Sequence, residues 1–148
     1  MNVIHTAALS TSGVRPPLRI LIADDSTLFL TCLHRLLDAQ TLVQVVGTAA
    51  NGREAIHQAD ALAPDLVLMD LDMPGMDGLQ ATTLLRRRQP NTRIILMTLD
   101  ETVKARAAAR AHGAHGFVGK SRMVGDLMTE IKRVFELKHA EDERTPVL

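Results

Sequence analysis

Apolar residues in this chain come in short solid runs separated by amphipathic stretches, and the alternation repeats five times. The solid runs are LRILIA at residues 18–23, a β-branched apolar stretch at 42–48, LVLM at 66–69 ending on Asp70, RIILMT at 93–98 and a short run at 115–118. Continuous apolar runs of this length suit strands buried on both faces. Between them the apolar period lengthens to that of a helix. Ser26 is a good N-cap, and Leu28, Phe29, Cys32, Leu33, Leu36 and Leu37 then recur on one face, which predicts a helix over 26–38. Asn51-Gly52 opens a second helix, through about Leu62, and Pro64 separates it from the next strand. After Gly78 a third helix turns Leu79, Leu84 and Leu85 inward and Arg86 to Arg88 outward, stopping before Pro90. An Ala-rich helix follows from near Glu101 to His112, and a last one places Met123, Leu127, Ile131 and Val134 on one face.

Strand-then-helix alternation implies a parallel sheet with helices on both faces, because right-handed crossovers lay each helix on the sheet. All carboxyl ends of a parallel sheet share one edge, where open α/β sheets bind ligands. Asp24 and Asp25 follow the first run, Asp70 ends the third, Thr98 ends the fourth, and Lys120 lies just past the fifth. The fold therefore gathers them at one rim. Pro74, Gly75 and Gly78 impose a loop directly after Asp70, so its carboxylate is presented at a strand tip.

Composition narrows the function without naming it. At 148 residues, 46% apolar and 23% charged, the chain has the size of one globular domain. Residues 18–138 form that domain, with a flexible extension at 1–17 and a charged tail at 139–148. Seventeen basic and seventeen acidic residues offer no broad attraction to nucleic acid or to an anionic membrane. One cysteine excludes an internal disulfide framework, and no apolar run reaches the length of a spanning helix, so a cytoplasmic setting is expected.

Three acids at one rim repel one another unless a cation is near. Mg²⁺ prefers oxygen ligands and retains water, so it suits a site of few carboxylates with space for a phosphoryl oxygen. Lys120 supplies a second positive charge and Thr98 a hydroxyl for an incoming oxyanion. Asp70 is then the natural nucleophile, forming an aspartyl phosphate.

The sequence resembles the receiver domain of bacterial two-component response regulators. The matching pieces are ILIADDS at 20–26, LVLMDLDMPGMDG at 66–78, IILMT at 94–98 and GFVGKS at 116–121. The resemblance implies a doubly wound five-stranded sheet of flavodoxin-like order 2-1-3-4-5. It implies that Asp70 takes phosphate from a partner histidine kinase or phosphotransfer protein. Asp24, Asp25, Asp70 and the backbone carbonyl of Asp72 would serve Mg²⁺. Thr98 and Lys120 would hold the phosphoryl oxygens, and Phe117 falls on the family's aromatic switch position. The changed face, on the fourth helix, fifth strand and fifth helix, would meet an effector protein or a second receiver.

Three departures from the commonest pattern stand out. Leu99 follows Thr98 where Ala or Gly is usual, which predicts narrower access to the phosphoryl site. Ser121 follows Lys120 where Pro is frequent, which leaves the geometry of that peptide bond open. Asp72 and Asp100 add acids beside the site. Of the remaining candidates, Cys32 reads as an inert buried thiol, Arg86 to Arg88 as a solvated face, and His112 with His115 as a loop pair. Two alternatives are carried forward. MDLDMP at 69–74 has the Asp-x-Asp arrangement of haloacid-dehalogenase-like phosphatases, although their nucleophile lies on the first strand. The segment 113–121 is similar to receivers joined to a helix-turn-helix DNA-binding domain; the residues after Leu137 are too few for one, so the chain is either a stand-alone receiver or an excised part of a DNA-binding transcription regulator.

Overall fold

The computed structural model describes the backbone of residues 15–147 and the side chains of residues 15–136. Five parallel strands, β1 (Leu18–Ala23), β2 (Val43–Ala49), β3 (Leu66–Asp70), β4 (Arg93–Thr98) and β5 (Gly116–Gly119), lie in the order β2-β1-β3-β4-β5. The expected order is therefore observed. Helices α1 (Thr27–Asp38), α2 (Gly52–Leu62), α3 (Gly78–Arg88) and α4 (Val103–Ala111) make the four crossovers, and α5 (Met123–Val147) follows β5 after a 3-10 turn at Lys120–Arg122.

Alternate strand residues feed two cores. Ile20, Ile22, Leu66, Leu68, Ile95 and Met97 face α1 and α5, where they meet Leu33, Leu37, Leu127 and Ile131. Leu21, Val67, Met69, Ile94 and Leu96 face the other way, against Ala55 and Ala59 of α2, Ala81 and Leu85 of α3, and Ala109 of α4. Burying each large aliphatic side chain contributes about 1.5–3 kcal/mol, so the sheet is held rigidly from both sides. Small residues on α2, α3 and α4 let those helices approach the second face closely. At the start of α3 a Cβ on Gly78 would stand 2.4 Å from the carbonyl oxygen of Asp70, so this helix is seated directly against the end of β3.

Side-chain caps set the helix starts. Ser26, Asn51, Asp77 and Thr102 each accept a backbone N–H at the first turn of α1, α2, α3 and α4. The fourth helix starts at Val103 rather than near Glu101, because Thr102 takes the cap and Asp100 Oδ1 accepts the Thr102 N–H at 3.1 Å. The first helix buries less than its apolar pattern predicts. Leu28 is 74% exposed and Cys32 is exposed, since only Leu33 and Leu37 of α1 reach full burial. The expected buried thiol is thus a surface thiol.

The two histidines of the expected loop pair are each engaged elsewhere, His115 with β4 and His112 with α3. His115 Nδ1 accepts the Ile94 N–H at 3.0 Å, and His112 Nδ1 lies 3.0 Å from Thr83 Oγ1. Nor is the arginine run wholly solvated, for Arg88 pairs with Asp60 of α2 and the half-buried Arg86 lies against Gly113. The expected extension at 1–17 falls outside the described residues except for 15–17. The side chains of the expected tail at 139–148 also lie outside them, while the helical backbone of α5 continues to Val147. Glu141, Glu143 and Arg144 are good helix formers, which favours that continuation.

Candidate functional site

The carboxyl edge of the sheet brings the predicted residues together. Asp24 follows β1 and is fully buried, Asp70 ends β3 and is 5% exposed, and Asp25 is exposed beside them. One carboxylate oxygen from each lies within 4.8 Å of the others. Asp24 is held from below: its Oδ1 accepts the Ser26 N–H at 2.8 Å. Asp70 Oδ1 accepts the Asp72 N–H at 3.2 Å, which ties the nucleophile candidate to the loop after β3.

Lys120, reached by the 3-10 turn after β5, spans the acids. Its ammonium stands 2.6 Å from Asp24 Oδ2, which has no other partner among the described residues, and 3.2 Å from Asp70 Oδ2. Its side chain is 12% exposed. Burial alone would lower its pKa, but the two carboxylates outweigh that and hold it above the ordinary lysine value. Asp70 moves the other way. Burial, then the neighbouring charge of Asp24, push its carboxyl up to about 6, against the opposing pull of the Asp72 N–H and Lys120. Three carboxylates and one ammonium leave this rim with an excess of negative charge. Three hard oxygen donors converging with a deficit of positive charge fit a small divalent cation such as Mg²⁺.

Thr98 is fully buried at the end of β4, and its Oγ1 accepts the Asp100 N–H at 2.9 Å. Leu99 is 78% exposed, and Asp72 and Asp100 are exposed on the two loops that flank the rim. Phe117 is buried in the core beneath α4, with the Arg106 guanidinium 4.8 Å from its ring centroid. The peptide bond between Lys120 and Ser121 is trans, like every other among the described residues.

Two participants were not legible as such in the sequence. Phe29, half-buried on α1, places its ring 4.3 Å from the Lys120 ammonium, where its apolar character had marked it only as core. Glu101 Oε2 accepts the Ser121 O–H at 2.5 Å and its carboxylate lies 3.5 Å from Arg122, joining the loops after β4 and β5. The signal for the second was present in Ser121, which offers a hydroxyl where proline has none.

Among the described residues no helix is long and apolar enough to cross a membrane. Residues 20–132 match the response regulator receiver domain family. The chain is 36% identical over 118 residues to the response regulator GacA of Pseudomonas viridiflava, covering 80% of this chain and 55% of that protein. It is 38% identical over 122 residues to a protein-glutamate methylesterase/protein-glutamine glutaminase of Alkalilimnicola ehrlichii, covering 78% of this chain and 30% of that one. The chain thus spans about half the length of the first relative and less than a third of the second. Among solved structures, the signal receiver domain of the response regulator NarL from Mycobacterium tuberculosis superposes with a TM-score of 0.71 at 31% identity, over 78% of this chain and 96% of that one.

Proposed function

The chain belongs to the response regulator receiver domain family, and from that premise we propose that Asp70 is its phosphoryl acceptor, working in the cytoplasm as a signalling switch. The observation that carries the reading is the Lys120 ammonium set between Asp24 at 2.6 Å and Asp70 at 3.2 Å, with Asp25 at the same rim. A carboxylate oxygen of Asp70 attacks the phosphorus of a phosphohistidine on a partner kinase or phosphotransfer protein. The new P–O bond forms as the P–N bond breaks, and the imidazole nitrogen leaves with the electron pair and takes a proton.

Asp24, Asp25, Asp70 and the backbone carbonyl of Asp72 would hold Mg²⁺, which supplies charge neutralisation at the phosphoryl oxygens when bound. Lys120 supplies a further positive charge beside Asp70 and moves toward the new oxygens. The Thr98 hydroxyl, now accepting from Asp100 N–H, donates to a phosphoryl oxygen once the loop after β4 shifts. A phosphoryl group adds about −1.5 to −2 charges, so Thr98 and Lys120 are drawn in together. Phe117 and the surface of α4, β5 and α5 carry the resulting change in packing to an effector protein or a second receiver.

The chemistry is self-directed, a phosphoryl group taken up and later lost to water, rather than turnover of a separate substrate. A phosphatase of the haloacid-dehalogenase type does not suit the fold, because Asp70 lies on β3 and Asp24 and Asp25 would have no role. Treatment with acetyl phosphate and Mg²⁺, followed by intact mass, tests the reading. One phosphate on the wild type and none on Asp70→Asn is expected; equal labelling of both would overturn it.

A further inference from the structure

We propose that Phe29 is a positioning residue for the Lys120 ammonium and acts through the face of its ring. The inference rests on Asp70 being the phosphoryl acceptor. Four contacts close a circuit around the site. Asp24 Oδ1 accepts the Ser26 N–H at 2.8 Å, and Ser26 Oγ accepts the Phe29 N–H at 3.2 Å. The Phe29 ring centroid lies 4.3 Å from Lys120 Nζ, and that ammonium returns to Asp24 Oδ2 at 2.6 Å. The cap that starts α1 therefore also fixes the ring beneath the ammonium.

The ring faces a cation that is also held by two carboxylates and has little access to water. An aromatic face attracts an ammonium through its quadrupole, and the attraction does not demand a particular N–H direction. Hydrogen bonds to carboxylates do. A phosphoryl group on Asp70 extends farther from the sheet than the carboxylate that bears it, so Lys120 has to turn from Asp24 toward the new oxygens. Over a ring it turns without breaking a directed bond on that side, and water does not take its place. A saturated side chain of similar size would fill the space and offer no such surface.

The test uses the whole chain with Phe29→Leu, Phe29→Tyr, and mono-, di- and trifluorophenylalanine at position 29. Fluorine drains the ring face of electron density and leaves the ring in place. Two readouts are taken: the ring-current shift of the Lys120 Cε protons by NMR without metal, and the rate of phosphate uptake from acetyl phosphate with Mg²⁺ by intact mass. An upfield shift in the wild type that disappears in Phe29→Leu is expected. Uptake should slow stepwise with fluorination, by about 3- to 10-fold in Phe29→Leu, and stay within about twofold in Phe29→Tyr. The fluorinated series keeps the test decisive should Phe29→Leu fold poorly. Normal wild-type uptake with no shift, or with rates flat across the series, overturns the role of Phe29 alone. No phosphate on Asp70 of the wild type overturns the acceptor reading, and this inference with it.

Discussion

Glu130 of α5 caps the backbone of Phe117: its Oε2 accepts the Phe117 N–H at 3.0 Å, on the side of β5 that no strand covers. Arg133 completes the arrangement, donating to both Glu130 oxygens and, at 2.9 Å, to the His115 carbonyl. A carboxylate and a guanidinium thus stand in for a sixth strand. An open edge would otherwise invite pairing with another chain.

Replacing Glu130 with Ala should therefore destabilise the domain by about 1–2 kcal/mol, since a half-buried strand N–H loses its partner. Burial pushes the Glu130 carboxyl up, but the hydrogen bonds from Arg133 and the Phe117 N–H outweigh it and hold the pKa below the ordinary value. A depressed acid stabilises the fold above its unfolded pKa and loses that contribution as pH falls through the folded one. Urea titrations at pH 7 and pH 3 should show the penalty of Glu130→Ala at pH 7 and a much smaller one at pH 3. An equal penalty at both would mean the carboxylate charge is irrelevant.

Asp70 has the opposite linkage. Its carboxyl is raised to about 6 by burial first and Asp24 second, so the fold resists its ionisation. The cost is absent below the unfolded value near 3.8 and grows as pH rises to 6. Asp70→Asn should then gain about 1–2 kcal/mol over wild type at pH 7.5, with the gain vanishing near pH 4. Mg²⁺ should raise the melting temperature of the wild type well above its effect on Asp70→Asn. Thermal melts with and without Mg²⁺ check both, and a less stable Asp70→Asn at pH 7.5 would count against the excess of negative charge.

How much of this was legible beforehand follows from what each element depends on. The strands and the meeting of Asp24, Asp25, Asp70 and Lys120 follow from local apolar runs plus the handedness of the crossovers, whereas the strand order came from the family resemblance alone. Burial on helices was less legible. Cys32 has the spacing of a core residue, yet α1 sinks only Leu33 and Leu37 completely, and that depends on how the helix tilts on the sheet. The Phe29–Lys120 and Glu101–Ser121 contacts join residues far apart in sequence, so no periodicity announces them.

His115 gives a pH response away from the rim. Its Nδ1 accepts the Ile94 N–H, and burial, then Arg86 and Arg93, hold its pKa down at about 4. The neutral ring is the folded form, so its contribution is complete above the unfolded value near 6.5 and is lost as pH falls toward 4. His115→Ala should weaken the fold by about 1 kcal/mol at pH 7 and flatten the wild-type decline between pH 6.5 and 4. Urea midpoints at several pH values measure this. An NMR titration of the His115 ring near pH 6.5 would contradict it.

Leu99 bears on access to the proposed phosphoryl site rather than on the fold. It is 78% exposed and follows Thr98, whose hydroxyl is buried at the same strand end. Truncating an exposed side chain changes stability by less than about 0.5 kcal/mol, so any kinetic effect of Leu99→Ala is separable from unfolding. With less bulk beside Thr98, small donors and water reach Asp70 more readily. Leu99→Ala should therefore speed both uptake from acetyl phosphate and later loss of phosphate by about 2- to 5-fold, with the melting temperature unchanged. Intact mass followed over time gives both rates from one sample. If neither rate moves, Leu99 does not restrict the site; if only uptake moves, it screens the donor and leaves the attacking water free.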